Sequence, residues 1–264
     1  MGSPMIEIQS ISKFYKNPKT DASLCVLKDV SLEIKENEFV SFIGPSGCGK
    51  TTLMKIIDGL IPVEKGEVRI KGQKISGPGP DRAMVFQSFS LLPWNTILKN
   101  VMFGLEMKKV PKKEREERAM EMLKRVGLED FAHHYPKQLS GGMQQRAGIA
   151  RALVTNPEIL LMDEPFGQLD AQTRRGLQED LMQIWQQDKK TVVFVTHSMD
   201  EAVYLSDRVI ILRPRPGQVH TELVIDLPRP RDGNAIRKTK EFAELTNYIW
   251  DTLKMLMSDE KEVS

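Results

Sequence analysis

The sequence predicts an α/β fold: a mainly parallel core sheet, joined by an antiparallel β subdomain and an inserted α-helical subdomain. Three patterns predict it. Short, wholly apolar runs are separated by helix-patterned stretches, as expected of strands buried on both faces. From Ile6 to Ile34 apolar and polar residues alternate instead, the pattern of half-buried antiparallel strands. From Thr96 to Pro157 strand-like runs disappear.

Taken in order, "IEIQSISKFY" and "VLKDVSLEI" supply the alternating strands. "FVSFI", Phe39 to Ile43, is an apolar run ending in the glycine-rich turn "GPSGCGKTT", after which the pattern becomes helical. "EVRI", "AMVF", "EILLMDE", "TVVFVTH" and "DRVIIL" read as the remaining buried strands. In the helical insert Ala119, Met122, Leu123 and Val126 recur at helical spacing, and "KKVPKKEREERAMEMLKR" mixes both charge signs as a solvated helix face does. Beyond Arg213, "RPRPGQ" and "LPRPRDGN" read as turns leading to a last helix with Phe242, Leu245, Ile249 and Leu253 on one side. The expected organisation is one domain over 1–264. Its core takes 5–95 and 158–225, the helical insert 96–157, and a short helical extension 226–264.

Composition narrows the function. With 264 residues, 40% hydrophobic and 28% charged, the chain has the make-up of a soluble globular protein. A net charge of +2 lacks the basic excess of a nucleic-acid coat, so nucleic acid is not the expected partner. No apolar run approaches the roughly 20 residues that a bilayer demands. Cys25 and Cys48 read as reduced thiols of a cytoplasmic protein, since a disulfide at Cys48 would block the glycine-rich turn. The opening "MGSP" reads as a cloning remnant.

The turn from Gly44 to Thr52 fits G-x-x-x-x-G-K-[ST] between a strand and a helix. Gly44, Gly47 and Gly49 permit backbone angles that let successive amides converge on one anion, with Pro45, Ser46 and Cys48 between them. The helix start adds its partial positive charge, completing a cradle for nucleotide phosphates. Lys50 places a charge on the β and γ phosphates, Thr51 offers a hydroxyl to Mg²⁺, and Thr52 continues the loop into the helix.

Adjacent acids end "ILLMDE". Successive strand residues point opposite ways, so Asp163 and Glu164 divide the work: Asp163 holds Mg²⁺ and Glu164 orients or deprotonates the attacking water. His197 ends "TVVFVTH" and is placed to reach the γ phosphate, while Gln87 follows "AMVF" and is placed to sense Mg²⁺ or the water. His133, His134 and His220 are assigned to structure.

"GPSGCGKTT", Gln87, "LSGGMQQR", "ILLMDEP", "FGQLD" and His197, in that order, resemble the ATP-binding subunit of an ABC transporter over nearly the whole chain. The resemblance implies a P-loop NTPase (RecA-like) core, ATP and Mg²⁺ as ligands, and ATP hydrolysis. It also implies that "LSGGMQQR", with Ser140, Gly141, Gly142 and Gln144, caps the γ phosphate of ATP held by a second copy of the chain. Asp170 matches the acid of the neighbouring loop, though Gln168 departs from the commoner small residue there. Tyr15 would stack on adenine, with Phe14 beside it and a core position as the other reading of a strand aromatic. Among family members the sequence is most similar to ATPase subunits of importers in the nitrate, sulfonate and taurine group. Such subunits lie on the cytoplasmic face of the inner membrane, bound to separate multi-spanning permease subunits and served indirectly by a substrate-binding protein. A soluble ATP-dependent assembly switch is the alternative. "SFSLLPW", Ser88 to Trp94, either receives a helix of the permease or packs the helical insert.

Overall fold

The structure, a computed structural model, describes residues 4–16 and 23–262; the first three residues of "MGSP" lie outside the described residues. The chain opens with β1 (Ile6–Lys16), β2 (Ser23–Ile34) and β3 (Phe39–Ile43), then α1 (Lys50–Asp58), β4 (Lys65–Ile70), β5 (Gln73–Lys74) and β6 (Arg82–Val85). Helices α2 (Ile97–Met107), α3 (Lys112–Arg125) and α4 (Gly141–Leu153) follow, with 3-10 turns at Glu129–Phe131 and Pro136–Gln138. Next come β7 (Ile159–Asp163), α5 (Ala171–Gln187), β8 (Thr191–Val195), α6 (Met199–Leu205) and β9 (Arg208–Arg213). β10 (Gln218–Val224), α7 (Gly233–Ile236) and α8 (Lys240–Glu262) complete it. Two compact units result. One holds the chain up to Gly79 together with Thr191 onward; the other runs from Pro80 to Lys190.

In the first unit β3 lies between β8 and β9, parallel to both. Every residue of β3 and β8 is buried, which is why these strands read as continuous apolar runs in the sequence. β1 pairs antiparallel with β2 and with β4, and β5 turns back on β4. The alternation of "IEIQSI" is met by burial of Ile6, Ile8 and Ile11, with a register shift between Ile8 and Ile11 where Ser10 adopts φ +49°. α1 buries Leu53, Met54, Ile56 and Ile57, a helical stripe directed inward, and ends at Gly59 in the left-handed region. Of the face expected on α8, Phe242 and Ile249 are buried and Leu245 and Leu253 half-buried, and Leu256 extends it.

Two strands were not legible, the two-residue β5 and the longer β10. β10 pairs antiparallel with β9, yet the sequence suggests only turns around it. It alternates exposed and half-buried residues, and Val224 is 67% exposed, so no apolar run marks it.

The second unit pairs β6 parallel with β7 and carries α2 to α5. Ile97, Val101 and Leu105 of α2, Ala119 and Leu123 of α3, and Ala147 and Ala150 of α4 form one buried cluster. The apolar spacing of α3 thus turns inward, and its charges stay outside in pairs such as Glu114–Arg118 and Glu121–Arg125. Among the described residues no helix is long and apolar enough to cross a membrane.

Candidate active site

In the first unit the glycine-rich turn connects β3 to α1. A Cβ on Gly44 would lie 2.5 Å from the Leu212 carbonyl oxygen, so no side chain fits there. Gly47 has φ +81° with open space where a Cβ would stand, so glycine is needed for the backbone and not for room. Ser46 and Gly47 are exposed at the tip of the loop, whereas Pro45, Thr51 and Thr52 are half-buried. Gly49 caps α1 with φ +91° and no side chain accepts from the first turn. The caps of α2, α4, α5 and α6 (Thr96, Ser140, Asp170 and Ser198) all accept such a bond, whereas Gly49 before α1 and Pro111 before α3 offer none; at α1 it is the glycine-rich loop heading the helix that suits its N-terminus to an anion.

Lys50 is buried, and its Nζ donates to the carbonyls of Gly44 at 2.8 Å and Pro45 at 3.1 Å. The ammonium is therefore held over the loop, where phosphate oxygens can replace the carbonyls. The Cys48 thiol is buried beside it, 3.7 Å from Nζ; burial pushes its pKa up and the Lys50 charge only partly opposes this. Both cysteines are free thiols. Cys48 contributes to the loop as backbone and filler, not as a reactive group.

Tyr15 belongs to the same unit. It is 42% exposed near the end of β1, with Lys13 Nζ 5.2 Å from its ring centroid, while Phe14 is half-buried. Its ring is thus available for stacking. His197 is exposed in the turn after β8. Thr196 anchors that turn, donating to the buried Glu201 carboxylate and accepting from the Ser198 amide at 3.0 Å.

In the second unit Asp163 is buried as the last residue of β7, and Glu164 follows with φ +46°. The left-handed region is unfavourable for glutamate, and such strain concentrates at functional positions. It turns the carboxylate out of the strand's alternation. Gln87, 77 residues away in sequence, donates its amide to Glu164 Oε2 at 3.3 Å. A carboxylate accepts several hydrogen bonds, so this one leaves capacity for a water.

The "LSGGMQQR" turn starts α4. Ser140 is exposed, and its Oγ accepts from the Met143 amide at 3.3 Å, which leaves the hydroxyl hydrogen to donate outward. Gln144 folds back to donate to the Leu139 carbonyl at 3.1 Å. Gly141 lies against Leu169, and a Cβ on Gly142 would sit 2.5 Å from Thr173 Cγ2. Gly142 is buried, so it is there for close packing of α4 on α5 and not for an open surface. Asp170 caps α5, accepting from the Gln172 and Thr173 amides. Hydrogen bonds from Thr173, side chain first, hold its carboxyl below the usual range.

Two residues beyond the motifs shape this unit. Asn100 is completely buried, accepts from the Leu92 amide at 2.7 Å, and donates to the carbonyls of Leu92, Asn95 and Thr96. Arg151 donates to the Ser90 carbonyl at 2.7 Å. "SFSLLPW" accordingly divides: Leu91 packs on the helical cluster, while Trp94 is 71% exposed. A polar residue on the apolar stripe of α2 was the sequence signal for Asn100. Asn100→Leu would strand several buried groups, and we expect a loss of about 2–4 kcal/mol, read as a fall of about 5–10 °C in the thermal midpoint. An unchanged midpoint would show that these bonds contribute nothing.

Comparison with known proteins identifies the family. Residues 27–167 match the ABC transporter family. An ABC transporter ATP-binding protein of Methanocaldococcus jannaschii is 57% identical over 228 residues, 86% of this chain and 84% of that protein. The taurine import ATP-binding protein TauB of Rhizobium johnstonii is 44% identical over 249 residues, 93% of this chain and 95% of its own length. Among solved structures, the dimeric post-hydrolysis state of the ATP-binding cassette MJ0796 bound to ADP and Pi is 39% identical with a TM-score of 0.75, covering 85% of this chain and 100% of that one. A phosphate loop on a parallel sheet, the ordered motifs and these relatives lead to one conclusion: the chain is a P-loop ATPase and belongs to the ABC transporter family.

Proposed function

We propose that this chain closes as a homodimer around two ATP molecules and powers import of a small anion, such as nitrate, a sulfonate or taurine, through separate membrane subunits. The observation that carries the ATP site is α1: an N-terminus without a side-chain cap, headed by a loop over which Lys50 is already held. In this reading Gly44 to Thr52 wrap the phosphates and Tyr15 stacks on the adenine. The oxygen donors Thr51, Gln87 and Asp163 suit Mg²⁺, which keeps waters and substrate phosphates as further ligands and so needs no dedicated cluster of acids. When bound, the ion neutralises phosphate charge. Glu164 orients the attacking water and takes its proton, Gln87 turns from that carboxylate to the ion or the water, and His197 donates to the γ phosphate. Ser140, Gly141, Gln144 and Asp170 serve the ATP of the partner copy, and Gly142 lets α4 pack closely enough on α5 to present them. The dimeric state of the MJ0796 cassette supports this arrangement.

The import role is supported by the taurine relative, an import ATP-binding protein. Exposed Trp94, in the segment held by Asn100, suits contact with a membrane subunit, and on this reading the chain is peripheral at the cytoplasmic face of the membrane. The test is Trp94→Ala. We expect unchanged folding and ATP binding with about tenfold weaker association with the membrane subunits. Association at wild-type strength would remove Trp94 from the interface, and failure of the wild-type chain to co-purify with any multi-spanning protein would favour the assembly switch.

A further inference from the structure

Gln145 is fully buried in α4, yet neither its amide nitrogen nor its amide oxygen has a hydrogen-bond partner. An apolar side chain of similar size would fill the place at lower cost, so a state that pairs this amide accounts for its presence. Its surroundings identify that state. Helical spacing puts Gln145 on the face that also carries Gly141 and Gly148. A Cβ on Gly141 would be 3.5 Å from the Phe89 ring, and one on Gly148 would be 3.5 Å from the Phe89 carbonyl oxygen. Arg151 continues this face, holding the Ser90 carbonyl at 2.7 Å and the Phe89 carbonyl at 3.5 Å. This side of α4 therefore lies against the segment immediately following Gln87.

That segment is strained. Ser90 adopts φ +48°, where serine is rarely found, and its Oγ donates to the Ser88 carbonyl at 3.0 Å. The bond from Gln87 to Glu164, at 3.3 Å, is long for a donor to a carboxylate and easily exchanged. We infer that Gln145 is a positioning residue for Gln87: its amide pairs with the backbone of residues 88–90 in a second arrangement of that segment, in which Gln87 leaves Glu164. Release of Ser90 from the left-handed region rotates the peptide planes on either side of it. One amide side chain offers both a donor and an acceptor to the groups that turn toward it. Nucleotide then selects between two arrangements, one strained with Gln145 unpaired and the other relaxed with it paired. The inference rests on the roles proposed for Gln87 and Glu164.

Gln145→Met in the 264-residue chain tests it, because methionine keeps the volume and the helix while removing the amide. Three measurements are made: the thermal midpoint without nucleotide, kcat and KM for ATP, and hydrogen exchange at residues 88–90 with and without Mg²⁺ and an imido analogue of ATP. We expect the midpoint to hold or rise, KM to stay within about twofold, and kcat to fall about tenfold. The exchange response to nucleotide, about tenfold in the wild type, disappears in the variant. Ser90→Gly tolerates the left-handed backbone at no cost and should blunt the same response by favouring the first arrangement. A lower midpoint with kcat falling only in step with the folded fraction would reduce Gln145 to packing and overturn the inference. So would an exchange response that survives in both variants. The exchange readout does not depend on hydrolysis: were Glu164→Gln fully active, the catalytic reading would fail while the coupling of Gln145 to residues 88–90 would still be decided.

Discussion

Glu164→Gln lowers ATP turnover by about 10²–10⁴-fold and leaves ATP binding intact. The variant keeps the size of the side chain and an oxygen that can accept from Gln87, so the local geometry around the strained backbone at φ +46° is preserved. What is lost is the charge that takes a proton from water. Because the substitution acts on the chemical step and not on phosphate binding, kcat falls while the affinity for ATP stays near that of the wild type. On the proposed arrangement the γ phosphate then persists, and with it the contacts that would hold two copies closed, so the variant should elute as an ATP-loaded dimer under conditions where the wild type cycles back to monomer. Single-turnover hydrolysis and size-exclusion chromatography with MgATP measure the two effects. Hydrolysis at the wild-type rate would end the assignment of Glu164.

The parts of the site legible in the sequence are those in which chemistry and spacing are contiguous. Gly44 to Thr52 is one unbroken loop whose glycines, lysine and threonine each have a local reason, and the apolar runs on either side fix the strand and helix that hold it. The buried strands were legible for the same reason, since β3 and β8 are buried at every residue and carry no polar alternation. Features set by tertiary geometry were not. No local pattern announces that Gln87 bonds Glu164, or that a glutamate occupies the left-handed region. Gly142 reads as an open phosphate contact by motif, yet it is buried against Thr173, because the distance between α4 and α5 is a property of packing. β10 escaped because an edge strand exposed along one side needs few apolar residues, and its neighbours are turn formers.

ATP turnover per chain should fall as the free protein is diluted below its dimer affinity, because on the proposed arrangement neither copy holds a whole site. Each ATP needs Lys50 of one copy and Ser140 of the other, so the active species is an encounter and its population follows mass action. The geometry within one chain fits this division of labour. Lys50 is tied to its own loop carbonyls, whereas Ser140 is exposed at the start of α4 with its hydroxyl hydrogen left to donate. Two variants separate the contributions. Lys50→Ala cannot hold its own ATP, and Ser140→Arg cannot cap a partner's, so each alone should lose nearly all activity for a different reason. In an equal mixture about half of the dimers pair the two variants, and each such dimer has one intact site of two. ATP-dependent dimerisation should therefore return in the mixture though neither variant shows it alone, with turnover up to about a quarter of wild type where one site fires without the other. Dilution gives the decisive measurement. If turnover per chain stays constant into a range where sedimentation finds only monomers, "LSGGMQQR" does not serve a partner's ATP, and the site must be complete within one chain.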